Sequence, residues 1–247
     1  MIARYRNFLV PVVLVLVLGA AGCSSAKKEE SLLDELANLD KETIFNRAEE
    51  LYSKGDYKEA RELFSFVYDS FPNDPLGHKA ALRVADTYAV KKDVTSLTEA
   101  RLRYRDFVNR YPNDPDRDYA LLMVGNTYSS RQLRPDRDLS DLQQALAAYQ
   151  QLVNLYPDSK YYEEAETRIH DLQELLAQHE WLVAAFYIRN KRYLGALWRL
   201  EYIQENYPNY SQIVLVNEKI SELNTTIAER QEAWEKHIEE LEKASED

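Results

Sequence analysis

At four places in this chain an alanine precedes a proline by twelve residues, and an aromatic residue stands immediately before each proline. The sets are Ala60 with Phe71-Pro72, Ala100 with Tyr111-Pro112, Ala145 with Tyr156-Pro157, and Ala196 with Tyr207-Pro208. Four residues after the alanine come Phe64, Tyr104 and Tyr149 in the first three sets and Leu200 in the fourth. On a helix, residues i and i+4 share a face. The alanine lets a neighbouring helix approach, the large side chain fills the space beside it, and the proline cannot continue the helix. A fixed interval inside repeats of unequal length describes stacked helix pairs, each burying its apolar face against the next. The expected fold is all-α, an α-solenoid of four to five helix-pair units, and its expected business is holding other proteins.

The helical period begins at Lys41, with Ile44, Ala48 and Leu51 on one face. Gly55 suits a helix C-cap and Asp56 an N-cap. The run Gly55-Asp56-Tyr57-Lys58-Glu59-Ala60 resembles the tetratricopeptide consensus more closely than any other part of the chain. In the second unit, from Leu76 to Pro112, Ala81, Ala85 and Tyr88 are expected inward, and Lys91 to Thr98 is read as a longer turn without glycine. The third unit carries Gly125 and Tyr128, and its turn swells through Arg131 to Asp138. Such insertions map to loops.

The rhythm fails once. Pro72 to Ala85 and Pro112 to Gly125 are both 13 residues, whereas Pro157 to the equivalent Ala184 is 27. No Gly or Pro lies between Asp158 and Gly195, and Leu172, Leu175, Leu176, His179, Leu182, Val183 and Phe186 stay in phase. One helix longer than its counterparts by about 20 Å is expected there, at about 1.5 Å per residue. A last helix starts near Ser211 and meets no breaker. Its end from about Glu229 reads either as a frayed charged tail or as a coiled-coil-like arm presenting Trp234 and Ile238.

Arg4 and Arg6 followed by the apolar run Phe8 to Leu18 read as a signal peptide, too short to span a bilayer. Ala20-Ala21-Gly22 precedes Cys23, the single cysteine, and this ending resembles a bacterial lipobox. Cys23 is therefore the expected lipidation site, and the resemblance of Ser24 after it to enterobacterial sorting signals implies the outer membrane rather than inner-membrane retention. With one cysteine there is no disulfide framework, so stability must come from helix packing. The formal net charge of −11 becomes −13 once Arg4 and Arg6 are removed, which disfavours nucleic acid and anionic headgroups as partners. Membrane attachment is expected through acyl chains, not a basic patch.

The inventory does not support catalysis. His78, His170, His179 and His237 are no closer than nine residues, and HExxH, CxxC and GxSxG are all lacking. Gly55, Gly77, Gly125 and Gly195 are single, so no phosphate-cradling loop is expected. Paired carboxylates such as Glu49-Glu50 and Glu163-Glu164 read as solvated surface. No enzyme activity, cofactor or metal site is expected. Many of the 18 tyrosines, among them Tyr57, Tyr88, Tyr104, Tyr128, Tyr149, Tyr187 and Tyr193, fall at packing positions.

Two stretches carry a family resemblance. One is Asp136-Arg137-Asp138, Ala145, Tyr149, Leu152-Val153, Tyr156-Pro157, Ser159, Tyr161 and Glu164-Ala165. The other is Leu176-Ala177, Glu180, Val183-Ala184, Phe186-Tyr187, Arg189, Tyr193, Ala196, Arg199 and Tyr207-Pro208. With the lipobox and the first units, the chain from Cys23 to Tyr210 resembles the BamD family, tetratricopeptide lipoproteins of the β-barrel assembly machinery of bacterial outer membranes. The resemblance implies a scaffold on the periplasmic face of the outer membrane. It implies binding, through the C-terminal half, to the POTRA domains of the barrel-forming subunit, with other assembly lipoproteins and unfolded outer-membrane proteins as further partners. Arg199 matches an arginine implied to contact the barrel subunit; the competing reading is a surface ion pair to Glu201 or Glu205. Phe71 matches the aromatic implied to lie near the client's C-terminal signal, against plain helix-end packing. The family's Arg-Gly-Ala turn reads Asn190-Lys191-Arg192-Tyr193-Leu194-Gly195-Ala196 here, and no second helix of a fifth unit is evident.

The expected division is a signal peptide over 1–22, lipidated cysteine and tether over 23–40, a tetratricopeptide sub-bundle over 41–158, and the long helix, fourth unit and capping helix over 159–247. The alternative functions are a pilotin-type periplasmic lipoprotein scaffold and a cell-wall hydrolase.

Overall fold

The computed structural model describes residues 38–130 and 139–246. The signal peptide, Cys23, most of the tether and the Arg131–Asp138 insertion lie outside the described residues. Among those described, nine helices follow in order and no strand occurs. They are α1 (Lys41–Lys54), α2 (Tyr57–Ser70), α3 (Pro75–Ala89), α4 (Val94–Arg110), α5 (Arg117–Ser129), α6 (Ser140–Leu155), α7 (Tyr162–Arg189), α8 (Tyr193–Asn206) and α9 (Ile213–Glu246).

Two compact units divide the chain, one up to Thr87 and one from Tyr88 onward. In the first, α1 packs on α2 and buries Ile44, Ala48, Ala60, Phe64 and Val67. Phe45 meets Phe64 edge-on at 5.3 Å. Gly55 closes α1 at φ 89, the left-handed conformation that a side chain resists. Asp40 caps α1 by accepting from the Thr43 amide at 2.8 Å. Asp56, expected as the cap of α2, makes no such bond.

In the second unit each helix packs on its successor, from α4 on α5 through to α8 on α9. The turn read as Lys91 to Thr98 is shorter than expected, because Asp93 caps α4 through the Ser96 amide and Val94 already begins the helix.

The repeating anchors form the core. Ala60, Ala100, Ala145 and Ala196 are all fully buried, as are Phe64, Tyr104, Tyr149 and Leu200. Each helix ends in the same way at its aromatic. The amides of Phe71, Tyr111, Tyr156 and Tyr207 donate to Val67, Phe107, Leu152 and Ile203, four residues back. The carbonyls of these aromatics then accept from the amides of Asp74, Asp114, Ser159 and Tyr210. The proline between occupies a position where its missing N–H leaves no bond unmade.

Of the residues expected inward in α3, Ala85 is buried, but Ala81 and Tyr88 are only partly so, and Ala80, Leu82 and Val84 take the core positions. Tyr104, Tyr128 and Tyr149 are buried, while Tyr57, Tyr187 and Tyr193 stay part-exposed. The long helix is present. α7 has 28 residues against 15 for α3 and 13 for α5. Its buried stripe runs through Ala165, Leu172 and Leu176 and then through Ala177, Glu180 and Ala184. Moving from Leu176 to Ala177 turns the face about 100°, and Ala177 and Ala184 pack with Ala196, Leu200 and Ile203 of α8. Leu182 and Phe186, expected inward, are therefore exposed (44% and 52%). α9 has 34 residues and starts at Ile213, two residues later than expected; it stays helical to Glu246, with Trp234 exposed.

Candidate partner-binding site

The α7–α8–α9 packing centres on Ala177, Ala184, Ala196, Leu200, Ile203, Tyr210, Val216 and Leu223. Small residues on both sides of the α7–α8 contact bring the helices close. Into this apolar layer the sequence introduces one carboxylate, Glu180, only 8% exposed. A buried carboxylate needs a partner, and α8 supplies it. Arg199 Nη1 donates to Glu180 Oε2 at 2.8 Å.

The Arg199 partner is thus neither Glu201 nor Glu205. A residue two positions along a helix points away, and six positions along lies well round from it, whereas Glu180 faces α8 directly. Beyond the pair, burial pushes the Tyr207 phenol well above its ordinary value, with Tyr202 and the Glu180 carboxylate acting in the same direction.

Arg199 is not wholly consumed by this contact. Its side chain keeps 30% exposure, and its guanidinium carbon lies 4.7 Å from the centroid of the Trp198 ring. Trp198 is 56% exposed and leans on Tyr202 at 6.0 Å. An exposed tryptophan beside a positioned arginine is a combination enriched at protein-binding hot spots. Sequence reading named Arg199 but passed over Trp198, whose signal was its place next to that arginine on an otherwise amphipathic helix.

Phe71 stands in the other unit. Its carbonyl accepts from the Asp74 amide at 3.1 Å, and Lys41 pairs with the Asp74 carboxylate while lying 5.8 Å from the Phe71 ring. The hydrogen bond to Lys41 holds the Asp74 carboxyl below its ordinary range, helped by the Leu76 amide. Gly77 makes this end possible, since a Cβ there would meet the Phe71 carbonyl oxygen at 1.9 Å. Phe71 and Arg199 belong to different units. Cys23 lies outside the described residues.

Among the described residues no group of three or more His, Cys, Asp or Glu is arranged to hold a metal. No helix among them is long and apolar enough to cross a membrane.

Known proteins match this chain over most of its length. The YfiO model, described as outer membrane lipoprotein, matches residues 37–237. The outer membrane protein assembly factor BamD of Xylella fastidiosa is 26% identical over 247 aligned residues, covering 90% of this chain and 80% of that protein. BamD of Neisseria gonorrhoeae is 25% identical over 211 residues, covering 83% of this chain and 78% of its own. BamD of Vibrio cholerae is 34% identical over a shorter stretch of 76 residues, 31% of this chain and 32% of that protein. With a family match from residue 37 to 237 laid over the repeated helix pairs and the lengthened α7, the chain belongs to the YfiO outer membrane lipoprotein family, the family of BamD.

Proposed function

We propose that this protein is a non-catalytic scaffold in the assembly of outer-membrane β-barrel proteins, held by lipid on Cys23 at the periplasmic face of the outer membrane. The α8 surface around Trp198 and Arg199 contacts the POTRA domains of the barrel-forming subunit. The unit carrying Phe71 meets unfolded client proteins, and other assembly lipoproteins join the complex. The observation that carries this reading is the family match over 37–237, combined with an arginine held in place by a buried glutamate beside an exposed tryptophan. The family is one of assembly factors, not enzymes.

Affinity capture of the full-length lipoprotein from detergent-solubilised outer membranes tests it. Recovery of a POTRA-containing barrel protein, reduced by Trp198→Ala at unchanged thermal unfolding, is the expected result. Equal recovery with the variant removes the assigned surface. Recovery of a secretin or pilus component instead favours the pilotin reading.

A further inference from the structure

Three cations meet at the turn between α7 and α8. Lys191, Arg192 and Arg230 line a cavity of about 330 Å³ with Tyr193, Leu194 and Ile227. The chain as a whole carries a formal charge of −11, yet no acidic side chain lines this cavity. Elsewhere cations such as Lys41, Arg83 and Arg199 pair with carboxylates. Lys191, Arg192 and Arg230 form no ion pair or hydrogen bond to a side chain among the described residues. Arg230 instead lies over the Tyr193 ring, 4.7 Å from its centroid.

The backbone adds to the field. α8 begins here without a side-chain cap and without an acidic residue in its first turn. The Ala196 amide is the first to enter the helix, donating to the Arg192 carbonyl at 3.2 Å. The amides of Tyr193, Leu194 and Gly195 are left without an acceptor, and the helix dipole makes this end positive. Lys191 adopts φ 57, which fixes the turn that aims these groups together. By contrast, α1 and α4 have an aspartate at the same position.

We propose that this cavity is a docking site for a carboxylate-bearing segment of a partner protein, one in which acidic residues flank an apolar side chain. The carboxylate takes the three free amides and the Arg192 and Lys191 charges, as anions do at helix N-termini. The apolar side chain covers Leu194, which is 71% exposed, and the wall formed by Tyr193 and Ile227. A protein segment fits better than an anionic membrane. A flat surface meets the whole acidic chain and is repelled by it, whereas a narrow segment meets the cavity alone. The site shares no residue with the Trp198 and Arg199 surface. It rests on the scaffold reading only in taking the partner to be a protein.

The test uses the purified full-length lipoprotein in neutral detergent micelles. The probes are a labelled, acetylated pentapeptide of alternating glutamate and leucine, the same peptide with glutamine in place of glutamate, and phosphatidylglycerol vesicles. The acidic peptide is expected to bind, to weaken about tenfold with Arg192→Gln/Arg230→Gln, and to weaken again as salt screens the charges. Lys191→Gln, measured separately, is expected to weaken binding by about threefold. Circular dichroism verifies that each variant folds. Equal binding of the glutamine peptide, binding unchanged in both variants, or capture of vesicles in preference to the peptide would overturn the proposal. Capture of the barrel subunit by the same variants reads out the scaffold function separately.

Discussion

The Arg199 guanidinium donates to a Glu180 carboxylate that is 8% exposed, joining α7 to α8 across an otherwise apolar layer. One pair therefore holds the two helices in register and positions an arginine beside an exposed tryptophan. The pair links stability to the proposed partner surface, and that link decides which variants are informative.

Arg199→Ala strands a buried carboxylate, and unfolding in urea should show a loss of about 1.5–3 kcal/mol. This lies below the usual cost of breaking a buried pair because the arginine is partly solvated. Replacing both partners, Glu180→Met with Arg199→Met, should recover most of that loss. A double variant as unstable as the single one would show that the pair is not the source.

Gly125 lies in the middle of α5 and Gly195 in the first turn of α8, and the two should respond oppositely to alanine. A Cβ at Gly125 would sit 2.3 Å from the buried Tyr149 ring, whose hydroxyl donates to Asn126 Oδ1 at 2.7 Å. That ring has no room to retreat, so Gly125→Ala should cost about 1–3 kcal/mol. At Gly195 the nearest atoms, in Tyr187, are 3.5 Å away. Gly195→Ala should be neutral, or stabilising by up to about 1 kcal/mol through helix propensity. Thermal unfolding of the two variants side by side checks this.

These two glycines mark what was legible in the sequence. The Ala-to-Pro interval located Ala60, Ala100, Ala145 and Ala196 and the large neighbour of each, all fully buried, because a repeated contact repeats its spacing. The length of α7 was also legible, since nothing in the sequence could stop it. The face that α7 buries was not. A continuous stripe through Leu182 and Phe186 ignores the sideways step at Leu176–Ala177, after which Ala177 and Ala184 pack against α8. Glu180 was hidden for a related reason. A glutamate on a helix reads as solvated until a residue nineteen positions later turns out to face it.

Acid should weaken the fold through the helix caps. Hydrogen bonds from Thr43 and from Ser96 hold the Asp40 and Asp93 carboxyls below the ordinary 3.8, and the Lys41 hydrogen bond does the same for Asp74. A carboxyl whose folded pKa is depressed stabilises the fold above its unfolded value, and that contribution vanishes as pH falls through the folded value. The urea midpoint should therefore fall as pH drops below about 4. Relief of the net negative charge acts the other way, so the comparison is with Asp40→Asn. That variant keeps a cap acceptor and should show a shallower fall.

Phe71→Ala separates client contact from helix-end packing. The ring is 37% exposed, and the backbone bonds that end α2 do not need it. Unfolding should change little, while binding of a peptide carrying the C-terminal strand of an outer-membrane barrel should weaken about fivefold. A large loss of stability with unaltered peptide binding would assign Phe71 to packing.

The most direct test of the scaffold account is depletion of this lipoprotein in its own cell, with the folding of several outer-membrane barrels followed by their heat-modifiable migration. The account predicts that folded barrels decline together while their unfolded precursors accumulate. Barrels that fold normally while pilus or secretin assembly fails would contradict it.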